Sequence, residues 1–146
     1  MRKTGFSNAA AVIHGGEMYP MIRGRVQFFQ QEDGVLVEAK LWGLPRTGPG
    51  FFAFHIHEGG SCRGGDFPET GGHFAPGSQT HPNHAGDLPP LLADFGRAYA
   101  QVLTGRFSVE EIIGKTVVIH SGPGDFHTQP SGNSGAKIAC GVIMRV

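Results

Sequence analysis

Seven side chains of this chain have the types and spacing of metal ligands: His55, His57, His73, His81, His84 and Asp87 within residues 51–87, and His120 downstream in Val117-Val118-Ile119-His120. His55-Ile56-His57 continues the apolar run Phe51-Phe52-Ala53-Phe54. On a strand of period two, Phe52, Phe54 and Ile56 share one face and both histidines share the other. Two neutral imidazoles at i, i+2 on a stiff strand form a bidentate clamp that suits copper, zinc, iron or nickel. His73, His81, His84 and Asp87 offer three nitrogens and one hard oxygen within fifteen residues, enough for a closed, structural tetrahedral zinc site. His55, His57 and His120 form an all-nitrogen set that suits copper, at the top of the Irving–Williams order. A lone imidazole in a loop is ordinarily a surface or hydrogen-bonding residue, but six of the eight histidines fall into this one arrangement. His14, beside a turn, and His127, in the last loop, read as bystanders. A zinc hydratase or hydrolase that activates water on His55, His57 and His120 is chemically reasonable. It leaves the other four ligands without a purpose.

The elements that must position these ligands read as short strands. Residues 10–14 form a first strand closed by Gly15-Gly16, and residues 21–30 place Ile22, Val26 and Phe28 on one parity. Glu32-Asp33-Gly34 turns into residues 35–42, where Val35, Val37, Ala39 and Leu41 share a face. The histidine strand runs to about His57. Residues 58–90 show no helical or strand period and read as a loop of roughly thirty residues, a length that inside a compact domain calls for function or disorder. Its four potential ligands argue for function. Strand patterns return at residues 91–95, 98–103 and 115–120, and Ser108-x-x-Glu111 fits a capping box on one helical turn. Residues 121–136 form a second irregular loop, and residues 137–144 a closing strand. About eight short strands with almost no helix predict a β-sandwich or small barrel.

Composition narrows the function classes. At 146 residues with no low-complexity tract, residues 1–146 are expected to form one domain. Lys plus Arg equals Asp plus Glu at 12 each, so no net field attracts nucleic acid or a charged polymer. Charged residues make up 16% against a typical ~25%, and with 24 glycines the chain is rich in turns and loops. The first residues, Met1-Arg2-Lys3-Thr4 onward, are basic but lack an apolar leader core, and no window reaches the ~18 apolar residues of a spanning helix. As written the chain is expected to be cytoplasmic and without a membrane partner, although a leader cleaved beforehand would leave a secreted or periplasmic protein looking the same. Cys62 and Cys140 match neither a Cys-x-x-Cys nor a zinc-ribbon pattern; they are one long-range disulfide or two separate buried thiols.

His55-Ile56-His57-Glu58-Gly59, Gly72-His73-Phe74-x-Pro76, His84-Ala85-Gly86-Asp87-Leu88-Pro89, Val118-Ile119-His120 and Gly132-Asn133-Ser134-Gly135-Ala136-Lys137-Ile138-Ala139-Cys140-Gly141-Val142-Ile143 together resemble the copper/zinc superoxide dismutases in order and composition. The resemblance runs from about Ala10 to the C-terminus. It implies an eight-stranded antiparallel Greek-key β-barrel or sandwich, with the metals outside the barrel beneath two long loops. It implies copper on His55, His57, His73 and His120, and zinc on His73, His81, His84 and Asp87, with His73 shared as a bridging imidazolate. An imidazole between two dications can give up its second proton, so the sharing is chemically sound. The resemblance further implies a Cys62–Cys140 disulfide tying the metal loop to the last strand.

The activity implied is disproportionation of the superoxide anion, with His73 and Lys137 as catalytic residues, and homodimer formation is left open. Three departures stand out. Lys137 occupies the place of the family's anion-guiding arginine, keeping the charge but losing the planar two-donor fork. Only Pro82-Asn83 separates His81 from His84. Asp125 resembles the family's carboxylate linking a copper histidine to a zinc histidine, displaced by about one residue beside Pro123. The alternative from another class is a non-catalytic relative that stores or delivers metal.

Overall fold

In the computed structural model, residues 5–146 are described; Met1 to Thr4, on which part of the leader expectation rests, lie outside them. Eight strands run in chain order: β1 (Ala9–Gly15), β2 (Arg23–Gln31), β3 (Gly34–Trp42), β4 (Phe51–His57), β5 (Asp87–Asp94), β6 (Arg97–Thr104), β7 (Thr116–His120) and β8 (Lys137–Arg145). They close into an antiparallel barrel in the order β1-β2-β3-β6-β5-β4-β7-β8, with β8 pairing back onto β1. The chain crosses over after β3, which pairs with β6, and β4 lies between β5 and β7. That crossover brings the histidine strand and the His120 strand side by side. No helix among the described residues is long and apolar enough to cross a membrane.

The core follows the parity of the sequence. Ile22, Val26 and Phe28, then Val35, Val37, Ala39 and Leu41, and then Phe52, Phe54 and Ile56 all lie in one buried cluster. Burying a large apolar side chain stabilises by about 1.5–3 kcal/mol, so slipping β4 by one residue would forfeit roughly 5–9 kcal/mol from its three core residues. That approaches a typical domain's whole stability of about 5–15 kcal/mol, and the face carrying His55 and His57 is thereby fixed.

β5 begins earlier than the sequence pattern predicts, at Asp87 rather than Leu91. Pro89 and Pro90 suggest a loop because proline has no N–H for the ladder. In the barrel they fall at a register shift: Asp87 and Leu88 pair with His55 and Phe54, then Leu91 and Leu92 pair with Phe52 and Phe51. The irregularity absorbs the missing donors, and Asp87 is consequently carried on a strand beside His55.

The two long connections, residues 58–86 and 121–136, lie over the same side of the barrel. The first contains a 3-10 turn, Pro68–Thr70. The helical turn expected after Ser108 is present as α1 (Val109–Ile112), with the Ser108 N–H donating to Glu111 Oε1 at 3.0 Å. Cys62 and Cys140 form a disulfide, and with Phe67 and Val118 they make a second small apolar cluster under the first loop. Of the two readings open for the cysteines, the bridge is the one found.

Candidate metal centre

The site is assembled from four pieces of chain. β4 delivers His55 and His57, and β7 delivers His120 next to them, since His55 pairs with Val118 and His57 with Thr116. The first loop returns to β4 at His73, through a bridge between His57 and His73 and bonds from Phe74 N to Ile56 O and from Gly86 N to Phe74 O. Gly86 is needed here, because a Cβ on it would fall on the Ile56 carbonyl oxygen. Asp87 then enters β5. His55, His57, His81, His84, Asp87 and His120 are buried, and the His73 side chain is 2% exposed.

Two groups of ligand atoms result, each drawn together within 4.8 Å: His55, His57, His73 and His120, and His55, His73, His81 and Asp87. The first is the all-nitrogen set expected for copper. The second overlaps the expected zinc set, with His84 adjoining it through Nδ1, 3.0 Å from Asp87 Oδ2, and His81 Nδ1 at 3.3 Å from the same oxygen. His55 stands between the two groups, its ring centroid 4.0 Å from that of His73. Ligand atoms about 2.0 Å from an ion at tetrahedral angles lie about 3.3 Å from one another, so the Asp87 contacts have the spacing of a coordination polyhedron's edges.

The hydrogen bonds around the rings fit metal binding. His57 Nδ1 lies 2.8 Å from Gly71 O and His120 Nδ1 lies 3.3 Å from Gly135 O. A carbonyl only accepts, so both Nδ1 atoms carry the proton and both Nε2 atoms present lone pairs, 3.2 Å apart. Fixing the outer nitrogen on a carbonyl is the usual device for orienting a metal-binding histidine. His73 Nδ1 meets Asp87 Oδ1 at 2.7 Å. Among the described residues His55 Nδ1 and His73 Nε2 are buried without a hydrogen-bond partner, and His81 Nδ1 and His84 Nδ1 meet Asp87 Oδ2 only as close contacts that lack hydrogen-bond geometry. Buried polar atoms are satisfied in the great majority of proteins, and a cluster of orphaned imidazole nitrogens is what copper and zinc would satisfy. The donor set therefore fits both ions.

Electrostatics favour the ligating forms. Burial holds the His55 imidazole far below its ordinary range, lowers His57 to about 2 and His120 to about 4, and neighbouring histidines add to each effect. Burial alone would raise the Asp87 carboxyl, but the hydrogen bond from His73 and the nearby His84 and His81 leave it lowered. The His55, His57 and His120 rings stay neutral and the Asp87 carboxyl stays charged, as metal binding requires.

Lys137 sits opposite His120 in the β7–β8 pairing, at a register irregularity. Its Nζ donates to Thr70 Oγ1 at 2.7 Å and to Gly71 O at 3.2 Å, so it shares with His57 the Gly71 carbonyl. Burial lowers its pKa, against the charge of Asp66. Asp125 differs from expectation. Its carboxylate accepts from Thr128 Oγ1 at 2.6 Å, Thr128 N at 2.7 Å and His127 N at 3.1 Å, closing a local turn, and these bonds hold it down to about 2. Among the described residues no side-chain link from Asp125 to His55, His57 or His120 is present; its main-chain carbonyl contacts His81 Nε2 instead. The displaced position in the loop explains the exchange, because Thr128 three residues on captures the carboxylate first. His14 and His127 are exposed and stand outside both groups.

Residues that sequence reading passes over also hold the ligands. Gln129 pairs reciprocally with the His81 backbone, accepting from His81 N at 3.0 Å and donating to His81 O at 2.6 Å. Arg106 donates to the carbonyls of Pro82 and His84. Contacts to main chain from distant residues leave no local pattern.

Comparison with known proteins places the chain among relatives of one kind. A family model described as copper/zinc superoxide dismutase matches residues 22–143. A superoxide dismutase [Cu-Zn] 2 of Aquifex aeolicus is 38% identical over 135 residues, covering 82% of this chain and 78% of the relative. A superoxide dismutase [Cu-Zn] of Caulobacter vibrioides is 34% identical, covering 93% and 85%. Among solved structures, a double mutant of a SOD-like protein from Bacillus subtilis superposes with a TM-score of 0.79 at 30% identity, covering 92% of this chain and 96% of that one.

Proposed function

We propose that this chain, which belongs to the copper/zinc superoxide dismutase family, converts two superoxide anions and two protons into one oxygen and one hydrogen peroxide. The observation carrying this reading is the pair of adjoining ligand groups that share His73 and His55. Copper held by His55, His57, His73 and His120 supplies a one-electron couple, while zinc held by His73, His81, His84 and Asp87 supplies a fixed, redox-inactive charge.

The rest belongs to the chain. His57 and His120 keep their Nε2 lone pairs aimed at one point because Gly71 O and Gly135 O hold the opposite nitrogens. Lys137 draws the anion toward that point. Two of the ammonium's three N–H groups are engaged by Thr70 and Gly71, leaving one to donate to superoxide. A cation at the mouth of a small site raises local anion concentration, an effect that weakens with salt. His73 Nε2, buried without a protein partner, is the atom that holds and gives up a proton for the departing peroxide. Of the compartments left open by the sequence, an oxidising one, secreted or periplasmic, suits the Cys62–Cys140 disulfide better than the cytoplasm.

The non-catalytic reading draws support from Lys137, two of whose three N–H groups are already taken up by the loop. Spectroscopic decay of superoxide separates the two readings, comparing protein reconstituted with copper and zinc against zinc-only protein. The enzyme accelerates decay only with both ions; equal, uncatalysed decay in both samples leaves a metal-storage protein.

A further inference from the structure

The turn carrying His81 and His84 borders a cleft of about 380 Å³ lined by His81, Pro82, Asp87, Arg106 and Phe126 among others. Two distant side chains fasten the backbone of this turn. At one end Gln129 grips His81. At the other, Arg106 Nη1 places its two N–H groups on Pro82 O at 2.8 Å and His84 O at 3.2 Å. The His84 carbonyl also accepts Asp87 N at 3.1 Å, and His84 N donates to Asp87 Oδ2 at 3.0 Å. Arg106 therefore acts on the peptide group that relates two ligands to one another.

Arg106 is exposed, but the main chain around it is tied down. Arg106 N donates to Thr104 Oγ1, Phe107 is buried in the core, and Val109 N donates to Gln30 Oε1 across the barrel. Among the described residues Arg106 pairs with no carboxylate, so its charge is directed at the two carbonyls. A charge-assisted bond of this kind is roughly twice as strong as a neutral one. With only Pro82 and Asn83 between the histidines, a shift of either carbonyl moves a ligand.

We propose that Arg106 is a positioning residue for the zinc set, clamping the His81–His84 turn so that His84 and Asp87 meet the ion in register. The proposal rests on the assignment of His84 and Asp87 to zinc made above. Partners that orient ligands are typically worth about 10–100-fold in metal affinity, which sets the expected effect.

The test measures zinc affinity of the full chain by competition with a chromogenic chelator, copper affinity in parallel, and the melting temperature of metal-free protein, for wild type, Arg106→Gln, Arg106→Lys and His84→Ala. Arg106→Gln is expected to weaken zinc binding about 10–100-fold while copper affinity and the metal-free melting temperature stay at wild-type values. Arg106→Lys recovers part of the loss, since an ammonium can reach one carbonyl. Cobalt(II) placed in the zinc set should show an altered visible spectrum in Arg106→Gln, reporting changed ligand geometry. Wild-type zinc affinity in Arg106→Gln, with His84→Ala impaired, would overturn the clamp and leave the zinc assignment standing. Equal losses of zinc, copper and metal-free stability would make Arg106 a general scaffold residue instead. If His84→Ala left zinc affinity unchanged, the zinc assignment would fall and the clamp with it.

Discussion

His57 Nε2 and His120 Nε2 face each other at 3.2 Å on the barrel's loop-covered side, each ring held by a carbonyl on its far nitrogen. Two aligned lone pairs at that distance repel unless a cation lies between or beside them. Replacing His120 by Ala removes one of the pair and none of the zinc-set atoms. Elemental analysis after saturation with both ions should find one copper and one zinc per wild-type chain, and zinc alone in His120→Ala. Full copper in the variant would remove His120 from the site.

Metal-free protein should weaken in acid through the same residues. His57 and His120 are held by burial at about 2 and about 4, against an ordinary value near 6.5, so the folded state keeps them neutral while the unfolded chain takes up protons. They cost the fold nothing above about pH 6.5, and a penalty builds as pH falls toward the folded values; His120 alone destabilises by on the order of 3 kcal/mol by about pH 4. Urea unfolding across that range should show the decline, with a shallower slope in His120→Ala. An identical slope in the variant would contradict the argument.

The histidine face was legible because period two leaves no choice once Phe52, Phe54 and Ile56 are assigned to the core. The pool of candidate ligands was legible because imidazole and carboxylate side chains are few and chemically specific, but nothing in the sequence signals that His55 would stand in the second group beside His73. The start of β5 was not, since proline's missing donor argues against a strand unless a register shift is known to await it. Asp125 was misread for a related reason: its local partner Thr128 outcompetes a distant histidine, and only the loop's conformation decides between them. Arg106 and Gln129 were invisible because they act on peptide groups more than twenty residues away.

The disulfide closes a sequence separation of 78 residues and should contribute about 4 kcal/mol by restricting the unfolded chain. Reduction is expected to lower the melting temperature by on the order of ten degrees. Because Cys62 lies in the loop that carries Thr70 and Gly71, copper should also exchange faster from reduced protein. Unchanged melting on complete reduction would show that the closed loop is already ordered in the unfolded state.

Lys137 contacts Thr70 and Gly71 and faces His120, so its removal should act on both encounter and geometry. Lys137→Ala is expected to lower the dismutation rate and flatten its dependence on ionic strength. Lys137→Arg should raise the rate, because the guanidinium keeps donors for the anion after satisfying the loop. If Lys137→Ala changed neither rate nor salt dependence, the ammonium would be only a tie between β8 and the first loop.

Catalysis by the adjoining ligand groups is decided by product stoichiometry under many-fold excess of superoxide. Protein loaded with copper and zinc should consume superoxide far beyond its own copper content, releasing one oxygen and one hydrogen peroxide for every two anions lost above the uncatalysed background. Consumption that stops at one superoxide per copper would rule out turnover and mark the protein as a metal binder that is reduced once.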